Sequence, residues 1–261
     1  MIENQNDKTE MGKRQKIYFL SDAHLGSLIF EDKHAHERIL VRFFDTIKQD
    51  AKAIYLLGDM FDFWFEYKMV APKGYVRFLG KLAELADNGV ELHYFIGNHD
   101  LWMFGYLEQE IGMTLHKKTE MITLCGKRFF MAHGDEMYVT DKKFKILRSI
   151  FHSTACQKMF ACLPSTWGLK FGYAWSASNR KKHLSNSNKY EGENNELLVQ
   201  FAKQHEKEEH FDYYIFGHRH IMLDFYLATK SRVVILGDFM YLFSYAELDE
   251  NGNLELKQFE V

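Results

Sequence analysis

The chain has 261 residues (30.9 kDa), of which 46% are hydrophobic and 26% charged, with a net charge of −3; it is long enough for one large soluble domain carrying an insertion. Its opening, Met1 to Gln15, is polar and lacks the apolar centre of a leader, and no run of 18 apolar residues follows, so a polar tail over 1–15 and a cytoplasmic domain over 16–261 are expected. Cys125, Cys156 and Cys162 are odd in number and form no C-x-x-C pair, which argues against a disulfide framework and a zinc knuckle.

In chain order, the apolar runs KIYFL, AIYLL and ELHYFI have the length and composition of strands. Helical stretches lie between them, AHERILVRFFDTIKQDA and YVRFLGKLAELADNG, the second closing at Gly89. This alternation predicts an α/β domain with parallel pairing. KRFFMA, DYYIF and RVVIL follow with less helix between them, so the sheet system is expected to be mixed. His34 and His36 in EDKHAHER are expected on an exposed helix, and Trp64 and Phe65 in packing. Residues of about 141–190 interrupt the pattern with two helical pieces, Asp141 to Leu163 and Thr166 to Lys182, parted by PST. This segment holds ten Lys or Arg against one acid, a charge of +9 that leaves −12 for the rest. Such a division predicts that the insertion faces something anionic. Trp167, Phe171 and Trp175 recur there at intervals of four, as on one side of a helix.

The strand exits carry the chemistry. Asp22-Ala23-His24 follows the first run, Gly58-Asp59 with Asp62 the second, and Gly97-Asn98-His99-Asp100 the third. His133-Gly134-Asp135 follows KRFFMA, and Gly217-His218-Arg219-His220 follows DYYIF. The carboxyl ends of parallel strands share one edge, where ligands bind. A lone D-x-H is as readily structural; five such exits in order are a metal-ligand set. Aspartate, asparagine and imidazole without cysteine suit Mn, Fe or Zn in an open site. A carboxylate can bridge two ions, Asp59 being the natural bridge, and neutral Asn98 would bind without adding charge. Two ions roughly 3.5–4 Å apart activate a shared water and clamp the oxygens of an in-line displacement. The expected reaction is hydrolysis of a phosphoester or phosphoanhydride.

The motifs D-x-H, G-D-x-x-D, G-N-H-D, H-G-D and G-H-x-H, in this order from Ile17 to about Phe239, resemble the calcineurin-like metallophosphoesterases. The resemblance implies two mixed β-sheets packed as a sandwich with helices outside. It also implies two divalent ions, Mn²⁺ first and Fe or Zn as alternatives. Asp22, His24, Asp59 and His220 would hold one, and Asp59, Asn98, His133 and His218 the other. His99 would stabilise the transition state or protonate the leaving group, oriented by Asp100, with Asp62 and Asp135 supporting metal-bound histidines. Within the superfamily, YFLSDAHLGS, GDMFDFWFEY, HGDEMYVTDKKFK, the insertion before GHRH, and ILGDFMY are similar to the UDP-2,3-diacylglucosamine pyrophosphatases of lipid A synthesis. In that family water attacks the α-phosphorus of a nucleotide-activated acylated sugar, releasing UMP and the acylated sugar 1-phosphate. Its best-known form has arginine at the place of His99. Asp141 matches its acidic position eight residues after the H-G-D histidine. An aromatic, basic insertion suits such a substrate taken from the inner membrane surface, with Trp175, Lys181 and Lys182 as contacts. Charge alone equally suits nucleic acid, so a nuclease or nucleotide phosphatase is an alternative. A non-catalytic binding protein on this scaffold would show lost ligands, and none is missing.

Overall fold

The computed structural model describes residues 14–138, 142–183 and 189–261; residues 1–13 of the tail expected over 1–15, and Asp141, lie outside the described residues. In the first half, β1 (Lys16–Leu20), α1 (Lys33–Ile47), β2 (Ala51–Leu56), α2 (Val76–Asp87) and β3 (Glu91–Phe95) alternate, followed by α3 (Tyr106–Ile111) and β4 (Thr114–His116). Next come β5 (Glu120–Leu124) and β6 (Lys127–Ala132), then the insertion helices α4 (Lys142–His152), α5 (Thr154–Ala161) and α6 (Ser165–His183). The chain closes with α7 (Leu197–His205), β7 (Tyr213–Phe216), β8 (Met222–Tyr226), β9 (Arg232–Leu236), β10 (Ser244–Leu248) and β11 (Leu254–Gln258).

The strands form two mixed sheets, ordered β11-β10-β1-β2-β3-β4 and β5-β6-β7-β9-β8. β1 to β4 are parallel, as are β6, β7 and β9, while β10, β11, β5 and β8 pair antiparallel. Side chains alternate across each strand, and the alternation builds four layers. Ile17 and Phe19 of β1 and Tyr55 of β2 meet Phe129, Ile215 and Val234 of the second sheet, and Phe19 stacks on Phe129 at 6.0 Å. On the opposite face, Tyr18, Leu20 and Ile54 pack against Phe43, Phe44 and Phe78 of α1 and α2. The outer face of the second sheet, through Phe130, Tyr214 and Phe216, is covered by Leu198, Val199 and Ala202 of α7.

Three expectations are corrected. The insertion has three helices rather than two, because Ser153 takes an extended backbone and its hydroxyl caps α5 at the Cys156 N–H. Strands β4, β5, β8, β10 and β11 have no counterpart among the expected runs. β5 and β8 are half-exposed edges whose sequences, EMITL and MLDFY, mix polar with apolar residues. His36 is buried rather than exposed: its Nε2 donates to the Ala23 carbonyl (2.8 Å) and its ring stacks on Phe30. His34 does lie at the surface.

Candidate metal centre

The loops leaving β1, β2, β3, β6 and β7 converge beyond one edge of the two sheets. Their backbone is strained for this purpose: Asp22, His24, Asp59, His218 and His220 all have φ between 43° and 65°, the left-handed region that costs non-glycine residues about 1–3 kcal/mol each. Cross-links hold them there. The His24 N–H donates to the Asp59 carbonyl (2.9 Å), the His99 N–H to Asp59 Oδ1 (2.8 Å) and the His218 N–H to Asp22 Oδ2 (2.8 Å). Gly58, at φ +86°, leaves no room for a side chain, since a Cβ would lie 2.7 Å from His133 Nδ1 and 2.9 Å from the Gly97 Cα.

Three groups of ligand-type residues result, each with its donor atoms within 4.8 Å of one another: Asp22, His24 and His220; His24, Asp59 and His99; Asp59, His133 and His218. His24 and Asp59 each belong to two of them, and of these Asp59 is the carboxylate, whose two oxygens suit a bridge. His133 Nδ1 donates to the Leu57 carbonyl (2.7 Å), which turns Nε2 toward Asp59 Oδ2 (3.4 Å) and Asn98 Oδ1 (3.3 Å). His24 Nδ1 faces Asp62 (3.6 Å), with Nε2 near Asp22 Oδ1 (3.6 Å) and Asp59 Oδ2 (3.8 Å). His220 repeats the pattern with Nδ1 toward Asp238 (3.5 Å) and Nε2 toward Asp22 Oδ1 (3.3 Å). An acceptor behind each imidazole fixes which nitrogen points inward.

The set fits cations. Asp22 Oδ1 is buried with no hydrogen-bond partner, although buried polar atoms are normally satisfied. Burial pushes the Asp22 carboxyl up, a cost that a cation offsets. At Asp59 burial acts the same way, but His133 and His99 outweigh it and hold the carboxyl well below its usual range. Burial, then His133 and His220, keep His218 well below the usual imidazole value, and so neutral as a ligand must be.

The other expected residues divide. Asp62 sits behind His24, 3.6 Å from its Nδ1. Asp135, expected beside a metal-bound histidine, pairs with Arg148 (3.3 Å), while His133 Nδ1 is taken by the Leu57 carbonyl. Asp100 accepts from Tyr94 OH and from the Gly97 N–H (2.8 Å). The His99 ring is held by the Asp62 carbonyl (2.9 Å) and the Ser176 hydroxyl (3.0 Å), so the orienting part expected of Asp100 falls to them. Trp175 lines a cavity of about 130 Å³ beside the centre, with Phe63, Asn98, His99, Trp102 and Phe151. Lys181 and Lys182 lie in α6, but their side chains, like Asp141, lie outside what is described.

Two residues were not anticipated. Asp238 follows β9 as Gly237-Asp238, a sixth strand exit of the same kind, so its signal was present in RVVILGD. Ser176 carries no such signal, being a serine inside a helix.

A sequence profile of the calcineurin-like phosphoesterases matches residues 15–222. The chain is 44% identical over 248 residues to a UDP-2,3-diacylglucosamine hydrolase of Porphyromonas gingivalis, covering 90% of this chain and 95% of that one. It is 30% identical to a UDP-2,3-diacylglucosamine hydrolase of Haemophilus influenzae, with 90% and 95% covered. A Neisseria meningitidis protein of the same description is 32% identical over 58% of this chain and 61% of its own.

Proposed function

The chain belongs to the calcineurin-like phosphoesterase family, and from that premise we propose that it hydrolyses the pyrophosphate bond of UDP-2,3-diacylglucosamine, giving UMP and 2,3-diacylglucosamine 1-phosphate. The observation that carries this reading is the union of the Asp59-centred cluster with the aromatic cavity at His99, Trp102, Phe151 and Trp175. A phosphate at the cluster would leave an acyl chain to enter a pocket whose walls come from both the core and the insertion.

Asp22, His24, Asp59 and His220 would hold one divalent ion, and Asp59, Asn98, His133 and His218 the other, Mn²⁺ being favoured over Fe or Zn. Such a pair lowers the pKa of water and offsets charge on the phosphoryl oxygens. His99 offers its Nε2 to a leaving oxygen, because Nδ1 is occupied by the Asp62 carbonyl. Asp62 and Asp238 keep His24 and His220 turned inward. Asp141, Lys181 and Lys182 are taken as further substrate contacts, and Trp175 as a contact of the acyl end.

The insertion of about 141–190 acts as a cap in this reading, and it also docks the enzyme on the cytoplasmic face of the inner membrane. Ile146, Ile150, Met159, Leu163, Trp167 and Phe171 are exposed on it, and the segment carries the +9 charge. Apolar insertion and attraction to anionic lipid then act together. Among the described residues no helix is long and apolar enough to cross a membrane.

The test is parallel assay of Mn²⁺-loaded protein on UDP-2,3-diacylglucosamine, a dinucleotide and single-stranded DNA. Turnover of the acylated substrate is expected to dominate. Preference for DNA, falling steeply with salt, would replace this reading with a nuclease.

A further inference from the structure

Ser176 is 2% exposed, an unusual place for a hydroxyl on α6, whose Trp167, Phe171 and Trp175 face solvent. It reaches the centre because α6 lies unusually close to the loop after β2. A Cβ on Gly172 would fall against the Phe63 ring, and one on Gly168 against the Tyr67 hydroxyl. Gly168, Gly172 and Ser176 are four apart and so share one helix face. Tyr173 adds a bond from its hydroxyl to that of Tyr75 (2.6 Å). The approach leaves Ser176 Oγ 2.8 Å from Asp62 Oδ2 and 3.0 Å from His99 Nδ1. The carboxylate can only accept, so the hydroxyl proton goes to Asp62, and the oxygen lone pairs face His99. The Asp62 carbonyl, 2.9 Å from the same nitrogen, also only accepts. Both contacts require the His99 Nδ1 to carry hydrogen.

We infer that Ser176 is a positioning residue for His99, supplied by the insertion, and that docking of α6 fixes the His99 ring with Nδ1–H bound to Ser176 and Asp62 and Nε2 presented to substrate. The insertion is thereby part of the phosphoryl chemistry as well as a cover for an acyl chain. This rests on the phosphohydrolase reading of the centre but not on the identity of its substrate.

The experiment compares wild type, Ser176→Ala and Gly172→Ala on bis(p-nitrophenyl) phosphate, which has no acyl chain, and on UDP-2,3-diacylglucosamine. Ring ¹⁵N spectra of His99 in the metal-free proteins accompany the kinetics. Expected is a fall in kcat of roughly 10- to 100-fold on both substrates, the size typical of losing a group that orients a reactive side chain, with KM moving less than about 3-fold on that scale. The Nδ1 resonance should shift in both variants, because Nδ1–H keeps only the Asp62 carbonyl as its acceptor. The inference is overturned if Ser176→Ala raises KM for the acylated substrate alone, which would make Ser176 a substrate contact. It is also overturned if the His99 spectrum is unchanged in both variants. If wild type cleaves the chromogenic ester but not the acylated sugar, the substrate assignment falls while the chromogenic arm still decides this one.

Discussion

Asp59 accepts the His99 N–H through one oxygen and faces His24 and His133 through the other, so a single side chain joins four strand exits. Removing it should affect both proposed ions at once. Asp59→Ala is expected to lose most bound Mn²⁺ by elemental analysis, with activity falling well beyond the roughly 10- to 100-fold expected when a supporting carboxylate is removed. Retention of two tightly held ions would show that Asp59 is no bridge. Asp238 stands in that supporting class, because it touches His220 Nδ1 while its Oδ1 accepts the N–H groups of Met240 and Tyr241 at 2.9 and 2.7 Å. Asp238→Ala should weaken Mn²⁺ affinity by about 10- to 100-fold, measured by titration calorimetry, and leave the fold in place.

At the scale of elements, α1 braces the centre from behind. His36 on this helix holds the carbonyl of Ala23, the residue between Asp22 and His24. Burial lowers the His36 pKa from its ordinary 6.5. The folded protein therefore keeps His36 neutral while the unfolded chain takes up a proton as pH falls below 6.5. The unfolded state then binds more protons, so stability contributed at His36 is complete above that pH and declines below it. His36→Gln, which retains a donor for Ala23 but does not titrate, should show a flatter loss of unfolding free energy between about pH 6.5 and 5, read by urea denaturation. An unchanged slope would assign the acid sensitivity to other groups.

For the whole molecule, the decisive feature is the division of charge and apolar surface between insertion and core. Trp167 and Phe171 are 70% and 59% exposed. Fully burying a Phe side chain is worth about 1.5–3 kcal/mol, or up to roughly 10- to 100-fold in partition. Phe171→Ser should weaken binding to phosphatidylglycerol vesicles by up to that factor in a sedimentation assay, and added salt should weaken wild type further. Equal binding to neutral and anionic vesicles would remove the electrostatic half of the argument. Chelation of the whole enzyme should abolish hydrolysis and Mn²⁺ should restore it; full activity in excess chelator would refute the two-ion centre.

The five strand exits were legible in the sequence because each couples two local signals, a short apolar run and a ligand-rich turn directly after it. The α/β class followed for the same reason, and the family resemblance supplied the sandwich. Which atoms meet was not legible, because the contacts that aim the side chains span the chain. Leu57 orients His133 across 76 positions, Ser176 reaches Asp62 across 114, and the His218 N–H finds Asp22 across 196. No periodicity within one element encodes such pairs. The burial of His36, the reassignment of Asp135 to Arg148 and of His99 to Ser176, and the inward aim of Asp238 arise only when two sheets stack and a helix lies on them, since that packing decides which polar atom lacks water and must take a protein partner instead.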